Sequence, residues 1–362
     1  METISLARGV PAPECLPIRD LSACAESAIA ADGEAVLNYG PAGGYRPLRE
    51  WLSARHGVEP ERIVITNGSL QGFFFLALRL VRRGPVLVEA PTYDRPLKLL
   101  ADLGAELFAL PLDEQGLDVD ALEIALRQGL RPAFLYTIPT FQNPSGRTLA
   151  KARRRRLVRL ARRYDFLLVE DDPYGLVRFE GKRLPTLFEL DGGANVVYSS
   201  SFSKTVAPGL RVGYLVLPPG LAGEVEAEAT GTYITPALLP QATVCEYLRR
   251  GLFEPNLAQI RAVLSERRDA LLSALARELP GAHWSQPEGG YFVWLELPEG
   301  IQELEARAAA CGVTFVPGRE FFPAGGGENA LRLAYSFASP AEIAEGVARL
   351  ASAAGLGLSK AA

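Results

Sequence analysis

Between residues 63 and 218 the chain alternates short apolar runs with stretches whose apolar positions recur at helical spacing. The runs IVIT (63–66), PVLVEA (85–90), ELFAL (106–110), AFLYTI (133–138), FLLVE (166–170), VVYSS (196–200) and VGYLVL (212–217) predict seven strands. Most are apolar almost without interruption, the pattern of strands covered on both faces. Helical patterns fill several gaps, among them SLQGFFFLALRLV (69–81) and KARRRRLVRLARRY (151–164). The alternation predicts an α/β fold with a mostly parallel seven-stranded sheet.

One connection breaks the rhythm. Between Lys204 and Val212 there are too few residues for a crossover, which takes about a dozen or more. If the strands on either side are neighbours, VGYLVL runs antiparallel to the rest. Beyond residue 250 the texture changes. A long charged helix pattern (256–278) leads to GGYFVWLEL (289–297), VTFVPG (313–318) and ALRLAYS (330–336). The last helix opens on the capping box Ser339-Pro340-Ala341-Glu342. These features predict a smaller α+β domain. The chain therefore divides into a large α/β domain over 35–250 and a small domain built from 1–34 and 251–362, since the first thirty or so residues are too few to stand alone.

Composition narrows the class of function. With 48% apolar and 22% charged residues and a formal charge of −4, the chain has the balance of a soluble globular protein and gives no support for nucleic-acid binding. The one densely basic stretch, KARRRR (151–156), continues with Leu157, Leu160 and Ala161 at helical spacing, so it reads as a surface helix with a solvated cationic side. The longest apolar run, FFFLAL (73–78), falls far short of the roughly 20 residues that span a bilayer. The opening METISLARGVPAPE lacks the plan of a signal peptide. Cys15, Cys24, Cys245 and Cys311 are scattered without CxxC spacing, as reduced thiols are in a cytoplasmic protein. His56 and His283 stand outside any ligand spacing, so no metal is expected. GPAGG (40–44) and AGGG (324–327) match no phosphate-loop spacing and read as turns.

Candidate chemistry begins with a scarce residue. Of 38 basic residues only five are lysines, namely Lys98, Lys151, Lys182, Lys204 and Lys360. One of them closes the hydroxyl-rich SSSFSK just after a strand. Arginine has taken nearly every other cationic position, so a lysine here points to what arginine cannot do: lose its proton and act as a nucleophile. Three consecutive predicted strands end in reactive residues, with Asn143 after the first, Asp171 and Tyr174 after the second, and Ser201, Ser203 and Lys204 after the third. The separations of 28 and 33 residues each match about one βαβ unit. In a parallel sheet all three clusters lie at the carboxyl edge, where such sheets bind ligands.

These groups fit pyridoxal 5'-phosphate. A lysine amine forms a Schiff base with its aldehyde, and a carboxylate beside the pyridine nitrogen keeps the ring an electron sink. A tyrosine and an asparagine can bond the ring hydroxyl. Serine hydroxyls and Arg211 can hold the phosphate, helped by the N–H groups of Asn67-Gly68-Ser69 at a helix start. Taken singly, each residue also has an ordinary reading: Lys204 as a cap, Asp171 and Asn143 as turn formers, Tyr93 as core, Arg332 as a partner for a buried acid. The matched phase of three clusters weighs against five coincidences.

Together ITNGSLQG, EAPTYD, FQNPSG, EDDPYG and SFSKTVAPGLRVGY resemble the fold-type-I, class I/II aminotransferases that use pyridoxal phosphate. The likeness runs from ISLARGVPAPE through LNYGPAGGYRPLREWL to ENALRLAYS, and is closest to the branch of 2-aminoadipate and kynurenine aminotransferases and the enzyme-like half of MocR regulators. The resemblance implies a homodimer moving an amino group from an L-amino acid to a 2-oxo acid such as 2-oxoglutarate, in ping-pong fashion. The donors it implies are 2-aminoadipate, aromatic or branched-chain amino acids. It makes Lys204 the Schiff-base lysine and proton shuttle, Asp171 the ring-nitrogen partner, Tyr174 the ring-hydroxyl donor and Tyr93 the stacked aromatic. Asn143 then touches both ring hydroxyl and substrate carboxylate. Ser69, Leu70, Ser201 and Arg211 form the phosphate cradle with help from Ser203, while Arg332 grips the substrate α-carboxylate and Tyr39 reaches the phosphate of the other subunit. The alternation Leu331-Arg332-Leu333 agrees independently, projecting the arginine from the opposite face of its strand.

The chain departs from that pattern at one end. Where relatives carry two glycines before LPAPE, this chain reads Arg8-Gly9-Val10-Pro11, and it begins without the arm that covers the substrate side chain in this branch. Gly9 keeps a place on the substrate side. Arg8 is expected to approach the substrate pocket and to favour an acidic side chain. Two other readings stay open: a β-lyase or decarboxylase reaction, which shares Lys204 and Asp171, and a catalytically silent regulator, which needs a helix-turn-helix domain for which the chain has no room.

Overall fold

The runs that read as covered on both faces become the centre of one large sheet. In the computed structural model, residues 2–298 and 303–355 are described, so Lys360 lies outside the described residues. The strands in chain order are β1 (Ile4–Ser5), β2 (Ile63–Asn67), β3 (Val86–Ala90), β4 (Leu107–Asp113), β5 (Gly116–Leu117), β6 (Phe134–Thr137), β7 (Leu167–Asp171), β8 (Val196–Ser201) and β9 (Val212–Val216). They are followed by β10 (His283–Trp284), β11 (Phe292–Glu296), β12 (Val313–Thr314), β13 (Val316–Pro317) and β14 (Ala330–Ala334).

The large sheet has the order β2-β9-β8-β7-β6-β3-β4-β5. From β8 to β4 every pairing is parallel. β9 runs antiparallel to β8, as the short link after Lys204 requires, and also antiparallel to β2 on its other side. All seven expected strands are present. The eighth, β5, is a two-residue return along β4 and too short to leave a hydrophobic run in the sequence. β6, β8 and β9 are buried throughout, whereas β4, near the sheet edge, leaves Phe108 39% exposed.

Helices cover the sheet where the periodicity placed them. Ser69–Leu80 packs on β2, β8 and β9 through residues including Phe73, Leu76 and Leu80. Lys151–Tyr164 packs on β7 and on the helix Val119–Arg127. This helix corrects one expectation. Its cations are not all on a solvated side, because Arg154 is 0% exposed. Position 154 belongs to the stripe of Leu157, Val158 and Ala161 that faces the sheet. Its guanidinium and Nε donate to the carbonyls of Leu149 (2.8 Å), Pro139 (2.5 Å) and Pro185 (3.1 Å) and to Thr140 Oγ1 (2.7 Å). An arginine in a helix pattern signals solvent only if no loop lies within reach of its long stem.

The later strands form a second, antiparallel sheet, β10-β11-β14-β13. Helices Phe253–Glu278 and Pro340–Ala354 pack on each other. The predicted capping box is formed: Ser339 Oγ accepts from the Glu342 N–H, and Glu342 accepts from the Ser339 N–H at 2.7 Å. β1 pairs in parallel with β12, and Leu6 O accepts from the Ala334 N–H at 2.6 Å. The helix Ile18–Val36 instead lies along Leu238–Arg249. Held on both sides, residues 7–10 cross the carboxyl edge of the large sheet, where Ala7, Gly9 and Val10 line the cavity.

Replacing Arg154 by methionine keeps the stem but leaves Leu149 O and Thr140 Oγ1 without their guanidinium donor, while Pro139 O retains the Leu149 N–H and Pro185 O is only partly buried. Each unmet buried acceptor costs roughly 1–3 kcal/mol before relaxation, so Arg154→Met is expected to lose about 3 kcal/mol in denaturant unfolding. A loss below about 0.5 kcal/mol, typical of a surface change, would show that these bonds contribute nothing.

Candidate active site

Parallel strands deliver the loops after β6, β7 and β8 to one edge, and there they enclose a cavity of about 560 Å³. Asn143, Asp171, Tyr174, Ser201, Ser203 and Lys204 all line it. So do Ser69, Leu70, Tyr93, Arg211, Arg332 and Gly9, from other parts of the chain. Of the residues to which the resemblance gave a role, only Tyr39 is elsewhere; it is 76% exposed, away from the cavity of its own chain.

Asp171 is the last residue of β7, and strand alternation sends it and Asp172 to opposite sides. Asp172 accepts from Tyr198 Oη (3.0 Å) and from the Gly175 N–H (2.8 Å). Asp171 Oδ2 accepts from Tyr136 Oη at 2.7 Å, while its Oδ1 is buried without a partner. Burial pushes the Asp171 carboxyl up from 3.8 to about 6, opposed by the Tyr136 hydroxyl, reinforced by Asp172 and opposed again by the nearby Ser199 hydroxyl. A buried acceptor with no donor is costly in a folded protein, and this one belongs to a residue of the cavity wall. It suits an incoming cationic N–H, which would restore its charge.

Lys204 follows β8 by three residues. Its Nζ donates to the carbonyl of Gly9 at 2.5 Å and lies 5.2 Å from the centre of the Tyr291 ring. Tyr291 Oη donates to the Lys204 carbonyl at 3.0 Å and so pins the main chain under the side chain. Burial, with the charges of Arg332 and Arg211, pushes the amine down from 10.5 to about 8. Gly9 is tightly placed: a Cβ there would come within 2.5 Å of the Phe292 ring.

Arg332 projects from β14 between two aromatic rings, 4.2 Å from the Phe292 centroid and 5.1 Å from Phe321. It donates to Asn143 Oδ1 at 2.9 Å and to Ala7 O at 3.0 Å, and its Nε is buried with no partner. Both acceptors are neutral, which leaves the charge available to an anionic ligand.

A second cationic end lies across the cavity. Ser69 and Leu70 open the helix Ser69–Leu80, whose free N–H groups and dipole favour an anion. Ser201, Ser203 and Arg211 share that wall. Arg211 makes only long bonds to neutral acceptors: Ser203 Oγ (3.5 Å), Pro208 O (3.3 Å) and Asn67 O (3.4 Å). Two glycines allow the close approach. A Cβ on Gly213 would stand 2.2 Å from the Ser69 nitrogen, and Gly68, at φ 91°, abuts the Arg211 guanidinium. The set is built for a dianion such as a phosphate monoester.

Tyr93 and Tyr174 complete the walls. Burial pushes the Tyr93 hydroxyl up to about 12 and the Tyr174 hydroxyl further still, so both remain protonated donors at neutral pH. The Tyr174 ring packs against Tyr291 and Phe292. Arg8 does not behave as expected. Its guanidinium stacks 4.5 Å over the Phe337 ring, and it is not part of the cavity wall. Sequence reading missed Tyr136, Tyr291 and Phe292, which are aromatics inside strand patterns. It also missed Asp94, Arg95 and Glu320 at the cavity wall; of these, only the charged pair following Tyr93 stood beside a residue already singled out.

Known proteins resemble this chain over nearly its whole length. The sequence pattern of the family aminotransferase class I and II matches residues 4–350. The 2-aminoadipate transaminase of Thermus thermophilus is 40% identical over 96% of this chain and 89% of its own length. Aromatic-amino-acid aminotransferase 1 of Thermococcus litoralis is 35% identical over 97% of this chain and 87% of its own. The crystal structure of LysN, the α-aminoadipate aminotransferase of Thermus thermophilus complexed with N-(5'-phosphopyridoxyl)-L-leucine, superposes with a TM-score of 0.93. It is 39% identical and covers 98% of this chain and 92% of its own.

The depressed amine gives a pH test. With its value near 8, half of the Lys204 amines are neutral at pH 8, against roughly one in 300 at an ordinary 10.5. Reductive alkylation of cofactor-free protein by a small aldehyde, followed by mass spectrometry of the Lys204 peptide, is expected to rise with pH to a plateau with its midpoint near 8. A midpoint above 10 would show that the cavity does not destabilise the charge.

Proposed function

This chain belongs to the class I and II aminotransferases, and on that premise we propose how its residues divide the transfer of an amino group from an L-amino acid to a 2-oxo acid. The cofactor is pyridoxal phosphate, whose aldehyde takes up the amino group and whose ring draws electrons from the substrate Cα. Lys204 would hold the aldehyde carbon through Nζ. With its Nζ free, Lys204 would move the proton at the substrate Cα. Its low pKa suits both tasks, because each needs a neutral amine near physiological pH.

Asp171 would take the ring N–H on the oxygen that lacks a partner, while Tyr136 keeps its other oxygen in place. Tyr174 and Asn143 bond the ring hydroxyl, and Tyr93 covers the ring face. Ser69, Leu70, Ser201, Ser203 and Arg211 hold the phosphate. Arg332 clasps the substrate α-carboxylate, with Asn143 and Gly9 beside it. One observation carries the reading: a carboxylate with an unpartnered buried oxygen and a lysine with a destabilised charge line the same cavity.

The choice of donors follows from the relatives. 2-Aminoadipate, aromatic and branched-chain amino acids are the donors to test first, with 2-oxoglutarate as acceptor. The active unit is a homodimer. Leu37, Tyr39 and Ile234 are exposed apolar side chains, and the loops that carry them are joined where the Gly40 N–H donates to Thr235 Oγ1 at 3.2 Å. A second copy covering this patch brings Tyr39 to the partner's phosphate end. Its free thiols, three of the four buried, suit the cytoplasm.

A panel of amino acids, scored by loss of the cofactor's visible band and by keto-acid product, tests the donor class. Lys204→Ala is expected to abolish turnover, and substantial transamination by that variant would end the assignment. Arg332→Gln removes a bidentate charge-assisted grip and is expected to lower kcat/KM for every amino acid by about a hundredfold or more. Tyr39→Ala is expected to weaken cofactor retention on dialysis while the protein still elutes as a dimer. Unchanged retention would remove Tyr39 from the phosphate end.

A further inference from the structure

Glu89 lies one residue before the end of β3, is 1% exposed, and is not part of the cavity wall. Its partners are all neutral: Thr137 Oγ1 at 2.6 Å, the Ile138 N–H at 3.2 Å and Gln142 Nε2 at 3.0 Å. The register of β3 on β6 sets the first contact, because Val88 lies opposite Tyr136 and Glu89 and Thr137 each follow by one residue. A carboxyl buried among neutral groups is costly unless each oxygen is bonded. An apolar residue would serve strand packing better, so the acid is there for what it holds.

What it holds is the Gln142 side chain, 2% exposed. Gln142 Nε2 donates to Glu89 and also to Pro91 O at 2.8 Å, while its Oε1 accepts from the Ser145 N–H at 2.8 Å. Two acceptors on one side and a donor on the other fix the orientation of the amide. This one amide ties the loop after β3 to the turn after β6. The first carries Tyr93 and the second carries Asn143, which accepts in turn from Arg332. Main-chain bonds close the turn, from Gln142 N to Arg147 O (2.9 Å) and from Gly146 N to Gln142 O (2.6 Å). The turn therefore moves as a unit with the Gln142 side chain.

We propose that Glu89 is a positioning residue for amino-group transfer: through the Gln142 amide it fixes Asn143 relative to Tyr93, and through Asn143 it sets the guanidinium of Arg332. This rests on the roles given above to Asn143 and Arg332. Misplacement of a reacting group by about 1 Å can cost two orders of magnitude in rate, so a bond outside the cavity has leverage inside it.

Glu89→Leu leaves the Ile138 N–H without its acceptor and leaves the Gln142 amide with Pro91 O as its one remaining acceptor. Glu89→Gln keeps an acceptor for Ile138 and Gln142 and presents its NH₂ to Thr137 Oγ1, so it is the conservative rescue. Gln142→Met preserves volume and removes the crosslink together with the acceptor of the Ser145 N–H. The measurements are KM and kcat for one amino-acid donor, the pH midpoint of the bound cofactor's visible absorbance, and the melting temperature. We expect Glu89→Leu and Gln142→Met each to raise KM about tenfold and to shift the absorbance midpoint, with Glu89→Gln close to the parent and the double variant no worse than the worse single one. Parent-like KM and midpoint in Glu89→Leu or Gln142→Met, whatever their melting temperatures, overturn the proposal, as does a Glu89→Gln variant as impaired as Glu89→Leu. If Glu89→Leu does not fold, Gln142→Met decides. Asn143→Ala separates the two levels: parent-like behaviour there removes the role of Asn143 and this proposal together. An impaired Asn143→Ala beside a parent-like Gln142→Met overturns this proposal alone.

Discussion

Asp171 is buried with one oxygen bonded to Tyr136 and the other bonded to nothing. Such an atom is expensive in a folded chain. It persists because β7 is clamped in parallel register between β6 and β8, so the strand cannot slip to relieve it without turning every core side chain to the wrong face. The fold thus fixes one strong acceptor where a hydrogen-bond donor is wanted. The rest of the cavity is arranged around whatever brings that donor.

Electrostatics divides the cavity into three zones. Arg211 and the start of the helix Ser69–Leu80 make one end positive, and Arg332 makes another. Between them the ammonium form of Lys204 is disfavoured by burial and by both guanidiniums. A phosphate at one end and a carboxylate at the other would neutralise the arginines, whereas the lysine has a neutral state available to it and arginine does not. One arrangement therefore yields two anion sites and a nucleophile.

The segment at residues 7–10 closes this arrangement from outside the large sheet. β1 pairs with β12 on one side, and the helix Ile18–Val36 lies on Leu238–Arg249 on the other, so the Ala7 and Gly9 carbonyls are set against Arg332 and Lys204. Gly9 is required by space, since the Phe292 ring occupies the position of a Cβ. The same crossing turns Arg8 outward onto Phe337.

The sequence by itself determined the seven main strands and, once the strands are taken as neighbours in a parallel sheet, the reversal of β9 and the common edge where Asn143, Asp171 and Lys204 meet. Those are consequences of local period and chain length, which a linear reading carries. Only the tertiary structure decided which neighbours complete them. That β9 lies between β8 and β2, that Tyr136 reaches Asp171, and that Glu89 meets Gln142 all depend on pairing between distant segments. Arg154 and Arg8 show the same limit for single side chains: one is buried and the other turned away, against expectation in both cases. A hydrophobic pattern says which face of an element is covered, but the loop carbonyl or aromatic ring that captures a long side chain comes from elsewhere in the chain and leaves no mark beside it.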